Sequence, residues 1–566
     1  MYLSHWVIRR FINIADRIGI TVPVHLPPFK IKSLTGREIR NADLLWAFFL
    51  IIPALYISLD KPPLIGDEAI RALVSLEMMI SGDYLTPTLN GELYFNKPPL
   101  FNWILVLFFR IFHSNSELIC RLPTTLFLLA YCYTIFWWVR KQLGSRYGII
   151  AALMFLTCAR ILFYDSFLGL IDVLFSWLVF LNFMLIWHFF QKRRFPVLFL
   201  STYAILAVTF LLKGLPSLAF QGITLLTLFI YTGHFRKLFS WAHIAGIVVF
   251  VLLISAYYYP YYLHHPDDTT GLLLRLVSES TQKSALGVRI GETFKHMVSF
   301  PFEMVYHFAP WTILLIMAFN WSILKRAFSN SFIKYCILVF AANIIIYWLS
   351  PITYPRYLHM LVPLLFIALL YLIRFHALSN TVSYRIVMYI IFVLTIMLIV
   401  VNTIMPILFH KLLPVSHIFL KSVLLLIPGI FLFYKMYLAR KRMNTLFGLG
   451  LVLLISRISF NLFLVPYRQT LAWPEKCRED AIRLGQGTKG EELFLLTDTI
   501  TIPNAYYITR ERNEILRFVN VPTRQSYYIV DDTAWFDGHF TREFTMRSTI
   551  SRKHRFYAGR FNPAPK

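Results

Sequence analysis

Long apolar blocks separated by short basic or proline-containing breaks occupy most of this sequence. Thirteen blocks are near the length of about 20 residues that an α-helix needs to cross the hydrocarbon core of a membrane. They lie at 43–59, 122–139, 147–164, 170–190, 196–212, 215–232, 241–262, 307–324, 333–349, 358–373, 384–407, 416–434 and 446–466. The pattern predicts an all-α, multi-pass membrane protein with about 13 transmembrane helices.

The positions of Lys and Arg predict the orientation, because cytoplasmic loops are enriched in basic residues. Several Lys and Arg precede the first block, so residues 1–42 are expected to be cytoplasmic, without a cleaved signal peptide. A shorter apolar stretch, 100–112, is expected to lie along the outer interface or to re-enter the membrane. If it crossed, the basic loops at 191–194 and 236–237 would fall outside, against the charge rule.

The chain therefore divides into three predicted segments. After the cytoplasmic segment, a transmembrane domain spans 43–466 and includes a long outer loop at 60–121, and residues 467–566 form a domain outside the membrane. In a bacterium this arrangement corresponds to the inner membrane with a periplasmic C-terminal domain. That domain is expected to be a small α/β module. Its predicted elements are a helix over 473–484 and strands over 492–497 and 526–530.

Composition supports a membrane protein and argues against other classes. Hydrophobic residues make up 57% of the chain and charged residues 15%, against about 45–50% and 25% in soluble domains. The net charge of +26 arises largely at the ends of apolar blocks, which predicts membrane lipids as partners and no nucleic acid. The five cysteines form no CxxC or Cys/His cluster, so neither a disulfide framework nor a thiolate metal site is expected.

The outer loop 60–121 contains the first candidate chemistry. Gly66 followed by Asp67 and Glu68 predicts the start of a helix that ends at Ser81-Gly82. Two interpretations of the acids are open. They stabilise the helix N-terminus by about 0.3–1 kcal/mol each, or one of them is a general base at the membrane surface. Because adjacent helical side chains point in different directions, at most one is expected to face a substrate.

Other charged residues lie beside the outer ends of predicted spans. Lys97 precedes two prolines and Lys213 follows an apolar run, and a phosphate would be a suitable partner for both ammonium groups. Asp165 and Asp172 bracket a turn, where Asp172 is either an N-cap or a second carboxylate in the pocket of Asp67. Further candidates in the outer loop 263–306 are Glu279 and Lys283.

The motifs of the first loop occur in a specific order. They are Asp67-Glu68, Ser81-Gly82-Asp83-Tyr84, Asn90-Gly91, Tyr94-Phe95 and Lys97-Pro98-Pro99-Leu100. With this order the chain resembles the ArnT-like branch of the GT-C glycosyltransferases, which includes the lipid A aminoarabinose transferases and is related to the protein O-mannosyltransferases. Asp172, Lys213-Gly214 and Tyr357 match later motifs, so that the resemblance covers roughly 43–370.

The resemblance implies a GT-C fold and an inverting sugar transfer. A polyprenyl-phosphate sugar would be the donor, and a lipid such as lipid A, a glycan or a protein the acceptor. Asp67 would deprotonate the acceptor hydroxyl, with Asp172 and Glu68 as further catalytic candidates. Lys97, Lys213 and Arg71 would bind the donor phosphate. The expected pocket residues are Tyr94, Asp165, Glu279, Lys283 and Tyr357. The chemistry requires no cofactor, because phosphate is already a good leaving group.

Two departures concern a metal ion. Asn96 stands where the aminoarabinose transferases have an acid, and Ser280 stands where they have a histidine. These positions hold the expected zinc ligands of that subgroup, so a divalent metal is possible but unsupported, and aminoarabinose is not expected as the sugar.

Three other functions are weighed against this one. A flippase or transporter would place polar residues near the bilayer midplane and often shows inverted repeats, whereas these residues collect at one face. A polysaccharide ligase or polymerase would use diphosphate-linked donors and is expected to show several outer arginines. A non-enzymatic assembly protein would leave the order of motifs from Asp67 to Lys97 without a role.

Overall fold

A computed structural model of the chain describes residues 39, 41–94, 96–267, 290–350, 353–410, 415–438, 444–496, 500–520, 526–531 and 540–561. All of the described residues belong to one compact unit. Most of the predicted cytoplasmic segment therefore lies outside the described residues, as do Glu279 and Lys283.

Helices form nearly all of the described part of the chain up to residue 471. They are α1 (Asn41–Tyr56), α2 (Gly66–Ser81), α3 (Leu100–Phe112), α4 (Glu117–Leu143), α5 (Ser145–Thr157), α6 (Ala159–Phe163), α7 (Ile171–Gln191), α8 (Phe195–Lys213), α9 (Pro216–Tyr231), α10 (Trp241–His264), α11 (Ile290–His307), α12 (Trp321–Ala327), α13 (Ser331–Trp348), α14 (Val362–Leu378), α15 (Val382–Leu408), α16 (Ile418–Phe433), α17 (Thr445–Ser459) and α18 (Val465–Leu471). Short 3-10 helices are found at Asp165–Phe167, Phe235–Phe239, Trp311–Phe319 and Pro355–Leu358, and π-helical turns at Tyr434–Leu438 and Phe460–Leu464.

Within the described residues, 8 helices are long and apolar enough to cross a membrane, and α5 with α6 forms a ninth candidate bent by 51°. The helices α1, α9 and α14 stand at three further predicted spans but are shorter. The block predicted at 307–324 consists largely of the 3-10 helix Trp311–Phe319, followed by α12. The 13 residues of α3 measure about 20 Å, less than the roughly 30 Å of a bilayer core. The predicted all-α membrane architecture is confirmed.

The C-terminal part is a small α/β module, as predicted. Its elements are α19 (Trp473–Gly487), β3 (Leu493–Leu495), α20 (Ile502–Arg512), β4 (Arg517–Phe518), β5 (Tyr527–Asp531), β6 (Phe540–Arg547) and β7 (Arg555–Phe561). The sheet has the order β4-β3-β5-β7-β6, with parallel pairing around β3 and antiparallel pairing around β7. The predicted helix and both predicted strands are present, whereas α20 and the other three strands were not predicted.

The helix α2 begins and ends where the sequence predicts. At its start the Glu68 carboxylate accepts a hydrogen bond from the Ile65 N–H at 3.1 Å, which satisfies one donor that the helix leaves free. At its end Gly82 has φ of 75° and donates its N–H to the Met78 carbonyl, a left-handed cap that glycine adopts without steric cost. These two caps define the segment that carries Asp67.

A short hairpin follows α2 and is held to it by one carboxylate. The strands β1 (Thr88–Leu89) and β2 (Glu92–Leu93) pair antiparallel across the turn at Asn90. The buried Glu77 accepts hydrogen bonds from the Thr88 hydroxyl and the Asn90 N–H at 2.7 Å each, and from the Gly91 N–H at 3.2 Å. The motif Asn90-Gly91 therefore has a structural explanation, since it turns the chain and presents two N–H groups to Glu77.

The outer turn before α7 approaches α4 closely at Gly169. A Cβ atom at this position would lie 2.6 Å from the carbonyl oxygen of Cys120, while the Gly169 N–H donates to Glu68 at 2.9 Å. This turn therefore has no room for a side chain at residue 169, and the hydrogen bond to Glu68 joins the start of α7 to the segment that carries Asp67.

We expect the substitution Gly169→Ala to lower stability by about 1–3 kcal/mol, because the added methyl group overlaps backbone atoms that cannot easily move. Gly222→Ala is the matched control, since nothing lies within 4 Å of the Cβ atom it would add inside α9. That control is expected to be neutral or to stabilise by about 0.5–1 kcal/mol. Thermal unfolding in detergent measures both, and equal unfolding temperatures would contradict the close packing at Gly169.

Candidate functional site

Four charged residues meet in one group, which we call the outer charge cluster because the charge rule predicts that its segments lie outside the membrane. It consists of Asp67, Asp172, Lys213 and Arg356. The Arg356 guanidinium lies 2.5 Å from the Asp67 carboxylate and 3.4 Å from Asp172, and the Lys213 ammonium lies 2.5 Å from the other oxygen of Asp172. Three members of the cluster, Asp67, Asp172 and Lys213, are site residues predicted from the sequence. Arg356 was not predicted, and it connects Asp67 to Asp172.

Backbone geometry places each of these residues at or beside the end of a helix. Asp67 is in the first turn of α2, Asp172 is in the first turn of α7 and Lys213 is the last residue of α8. Arg356 belongs to the 3-10 helix that precedes α14. An acid at a helix N-terminus and a cation at a C-terminus are each favoured by the helix dipole. The helix ends therefore favour the charges of Asp67, Asp172 and Lys213 before any substrate is present.

The outer charge cluster is open at one end and buried at the other. The Asp67 side chain is 55% exposed, whereas Arg356, Asp172 and Lys213 are 12%, 9% and 10% exposed. Asp67 is thus accessible to an incoming group, while the remaining charges lie in a region of lower dielectric, where electrostatic interactions are stronger.

Aromatic rings surround the cations of the outer charge cluster. The Lys213 ammonium lies 4.0 Å from the centre of the Tyr357 ring, and the Arg356 guanidinium lies 4.7 Å from that of Tyr354. Burial alone would lower the pKa of Arg356, but the carboxylates of Asp172 and Asp67 raise it above its ordinary range. Burial and the nearby Asp172 also raise the pKa of Tyr357 above its usual range. Arg356 is therefore charged and Tyr357 neutral near pH 7.

The structure gives Glu68 contacts different from those of its neighbour Asp67. Its side chain is buried and forms an ion pair with Arg121, at 2.8 and 3.1 Å to its two carboxylate oxygens. It also accepts the N–H groups of Ile65 and Gly169. These contacts occupy the oxygens of Glu68 and hold the loop, and a catalytic role for Glu68 stays a prediction.

Asp165 lies in a separate buried group. Its carboxylate contacts Arg160 at 2.9 Å and His359 at 3.1 Å, and its side chain is 1% exposed. His359 follows Arg356 by one turn, and its carbonyl accepts the Tyr131 hydroxyl at 2.9 Å. Asp165 thus supports the segment that carries Arg356, and a place for it in the substrate pocket stays a prediction.

Two other predicted residues of the first loop, Arg71 and Tyr94, contact each other. Arg71 is buried, donates to the Tyr94 hydroxyl and to Asn102, and lies 4.8 Å above the Tyr94 ring. Lys97 donates to the Asn96 carbonyl at 3.0 Å. These contacts involve residues outside the outer charge cluster, so binding of phosphate by Lys97 and Arg71 stays a prediction.

Arg356 is the residue that sequence reasoning missed. It follows Tyr354-Pro355 in a turn that the charge rule places outside, where basic residues are rare. The sequence signal for Arg356 was its predicted position outside the membrane and next to a span, because an arginine there requires a partner.

The donor set of the outer charge cluster does not fit a divalent metal ion. Asp172 contacts a cation with each of its two oxygens, and Asp67 is paired with Arg356. Across the described ranges, no group of three or more His, Cys, Asp or Glu side chains is arranged to hold a metal.

A cavity of about 550 Å³ lies elsewhere, between α15 and α17. Its walls include Asn402, Ser456 and Phe460, and the predicted site residues do not contribute to them. The outer charge cluster and this apolar cavity are therefore different places.

Parts of this chain match known proteins. Residues 96–259 match the family model described as dolichyl-phosphate-mannose-protein mannosyltransferase. A stretch of 128 residues is 27% identical to an uncharacterized protein of Aquifex aeolicus (strain VF5), covering 23% of this chain and 26% of that protein. The match thus spans about a quarter of the length of that relative. The family match includes Asp172 and Lys213 and lies between Asp67 and Arg356.

Two crystal structures are similar over most of the chain. Both are of ArnT from Cupriavidus metallidurans. The form bound to undecaprenyl phosphate has a TM-score of 0.65 and 17% identity, covering 91% of this chain and 97% of that one. The apo form has a TM-score of 0.64 and 17% identity, covering 91% and 98%. The chain has the GT-C fold, and the resemblance to the ArnT-like branch of the GT-C glycosyltransferases that the first-loop motifs predict is confirmed.

Proposed function

We propose that this protein is an inverting glycosyltransferase that moves a sugar from a polyprenyl-phosphate donor to an acceptor hydroxyl at the outer face of the membrane. The observation that carries the proposal is the outer charge cluster, in which an exposed carboxylate, Asp67, is joined by Arg356 to buried charges. The acceptor is a lipid such as lipid A, a glycan or a protein. The likeness to a structure bound to undecaprenyl phosphate supports this class of donor.

The proposed transfer requires a base for the acceptor proton and a leaving group on the donor. The Asp67 carboxylate takes the proton of the acceptor hydroxyl, whose oxygen forms a bond to the anomeric carbon of the sugar. The bond from that carbon to the phosphate oxygen breaks, and polyprenyl phosphate leaves with the electron pair. Attack from the face opposite the phosphate inverts the configuration of the anomeric carbon. General base catalysis of this type contributes about 10²–10⁴-fold to a rate.

The cations of the outer charge cluster supply the complementary charge. Lys213 and Arg356 are partly buried and already oriented by Asp172, so they can stabilise the negative charge that develops on the leaving phosphate without large rearrangement. Lys97 and Arg71 are proposed as further phosphate ligands. A divalent metal has no role in this scheme, and no cofactor is required for bond breaking.

The site of action follows from the proposed topology. The outer charge cluster belongs to the same face as the first loop and the C-terminal domain, which we assign to the periplasm of a bacterium. The donor and the acceptor would then meet in the outer leaflet of the inner membrane, with residues 1–42 in the cytoplasm.

We expect Asp67→Asn to reduce turnover by about 10²–10⁴-fold without loss of folding, because it removes the base but keeps the shape of the side chain. Purified protein in lipid is incubated with a panel of polyprenyl-phosphate sugars and a crude envelope extract, and release of polyprenyl phosphate is measured. Asp60→Asn is the matched control, since Asp60 lies in the same loop and is 50% exposed beside Lys61.

If the native chain and the Asp60 variant release polyprenyl phosphate and the Asp67 variant does not, the protein is a transferase and the active donor is identified. Equal release by the Asp67 variant would remove this carboxylate from the mechanism. Absence of release with every donor would favour diphosphate-linked donors or a transport function.

We expect Arg356→Lys to lower kcat by roughly ten- to a hundredfold, because an ammonium group lacks the planar fork with which the guanidinium contacts both carboxylates, and a charge-assisted hydrogen bond is worth about 1.5–3 kcal/mol. Arg374→Lys is a control on α14, where the arginine is exposed. Steady-state rates with the donor identified above provide the measurement. Unchanged turnover of the Arg356 variant would show that bridging of Asp67 and Asp172 is dispensable.

A further inference from the structure

The C-terminal domain contacts the turn that leads into Asp67 at two points, since Arg478 donates to the Lys61 carbonyl at 3.3 Å and a tyrosine hydroxyl meets the backbone closer to Asp67. The Leu64 N–H donates to the hydroxyl oxygen of Tyr507 at 2.9 Å, across 443 residues of sequence. Both residues are 1% exposed, so water does not replace this contact. Tyr507 lies on α20, which packs against α2. A helix of the small α/β module thus touches the backbone three residues before Asp67.

The same turn is held from the opposite side by the membrane domain. Arg121, on α4, donates to the carbonyl oxygens of Leu59 and Pro62 at 2.9 and 2.8 Å, and to that of Pro63 at 3.1 Å. Its guanidinium also binds Glu68, which lies next to Asp67. Arg121 therefore satisfies carbonyl groups of the turn, and Tyr507 satisfies the N–H of Leu64, which would otherwise be a buried donor without a partner.

Charges around Tyr507 keep α20 in place. Glu117 accepts Arg478 at 3.1 Å and Arg510 at 3.4 Å, and the Arg510 guanidinium lies 4.9 Å from the centre of the Tyr507 ring. Burial raises the pKa of Tyr507 above its ordinary range, so the phenol keeps its proton. The hydroxyl that meets Leu64 is thus both neutral and fixed in position.

We propose that Tyr507 is a positioning residue for Asp67, so that the C-terminal domain is part of the machinery that orients the base. This inference rests on the proposed function, in which Asp67 takes the proton of the acceptor. Asp67 is more than half exposed, and its described ion-pair partner is Arg356. Its direction therefore depends on where α2 begins, which is set by the turn between Arg121 and Tyr507. Displacement of a reacting group by about 1 Å can reduce a rate a hundredfold.

The neighbouring tyrosine provides a matched control. Tyr506 lies on the same helix, is equally buried and donates its hydroxyl to the Asn115 carbonyl, which belongs to the loop before α4. Substitution by Phe at either position removes one hydroxyl from the same domain contact. Only the substitution at position 507 releases the turn before Asp67.

The experiment measures kcat, KM for donor and acceptor, and the unfolding temperature of the full chain in lipid. Tyr507→Phe is expected to lower kcat about tenfold with KM changed less than about twofold, whereas Tyr506→Phe keeps kcat within about twofold. In an Asp67→Glu background, where the carboxylate is already displaced, Tyr507→Phe is expected to have no additional effect, because the two changes act on one group.

The outcomes separate this inference from the proposed function. Equal kcat of both Phe variants, whether unchanged or reduced alike, overturns the role of Tyr507 while loss of turnover in Asp67→Asn still supports the base. Full activity of Asp67→Asn overturns both. If Tyr507→Phe prevents folding, Arg121→Lys loosens the same turn from the other side. A kcat loss with unchanged KM in that variant supports positioning by the turn, and an unchanged kcat overturns it.

Discussion

The pairing of Arg356 with two carboxylates is the interaction on which the candidate site depends. Asp67, Asp172 and Lys213 come from helix ends far apart in the sequence, and Arg356 reaches the first two at once. A buried charge without a partner costs several kcal/mol, so the buried members Asp172, Lys213 and Arg356 require one another. This mutual requirement holds the outer turns together and leaves one carboxylate, Asp67, exposed at the edge of the group.

The adjacent acids Asp67 and Glu68 differ in exposure and partners although they lie in the same helix turn. Successive helical residues point about 100° apart, so the two carboxylates face different surroundings. Glu68 faces the protein, where Arg121 and two N–H groups occupy it, whereas Asp67 faces the opening. A rigid ion pair beneath the exposed carboxylate that we propose as the base is a suitable arrangement for presenting that carboxylate in a constant direction.

The C-terminal α/β module is joined to this arrangement and is not an appended domain. Its helix α20 packs on α2, and its arginines share Glu117 of α4. The contact is made of buried hydrogen bonds and ion pairs with partners hundreds of residues away, including the one between Leu64 and Tyr507. Loop, membrane domain and module thus form one unit around the turn before Asp67.

The sequence by itself determined the helical membrane architecture, the bounds of α2, part of the C-terminal module and the resemblance carried by the first loop. These features depend on local periodicity, capping residues and motif order, which are readable along the chain. Only the tertiary structure decided that Glu68 is buried against Arg121 and that Arg356 joins Asp67 to Asp172. Those contacts link residues 53 and 289 positions apart. Local sequence does not specify them, because partner choice across the fold depends on how the helices pack.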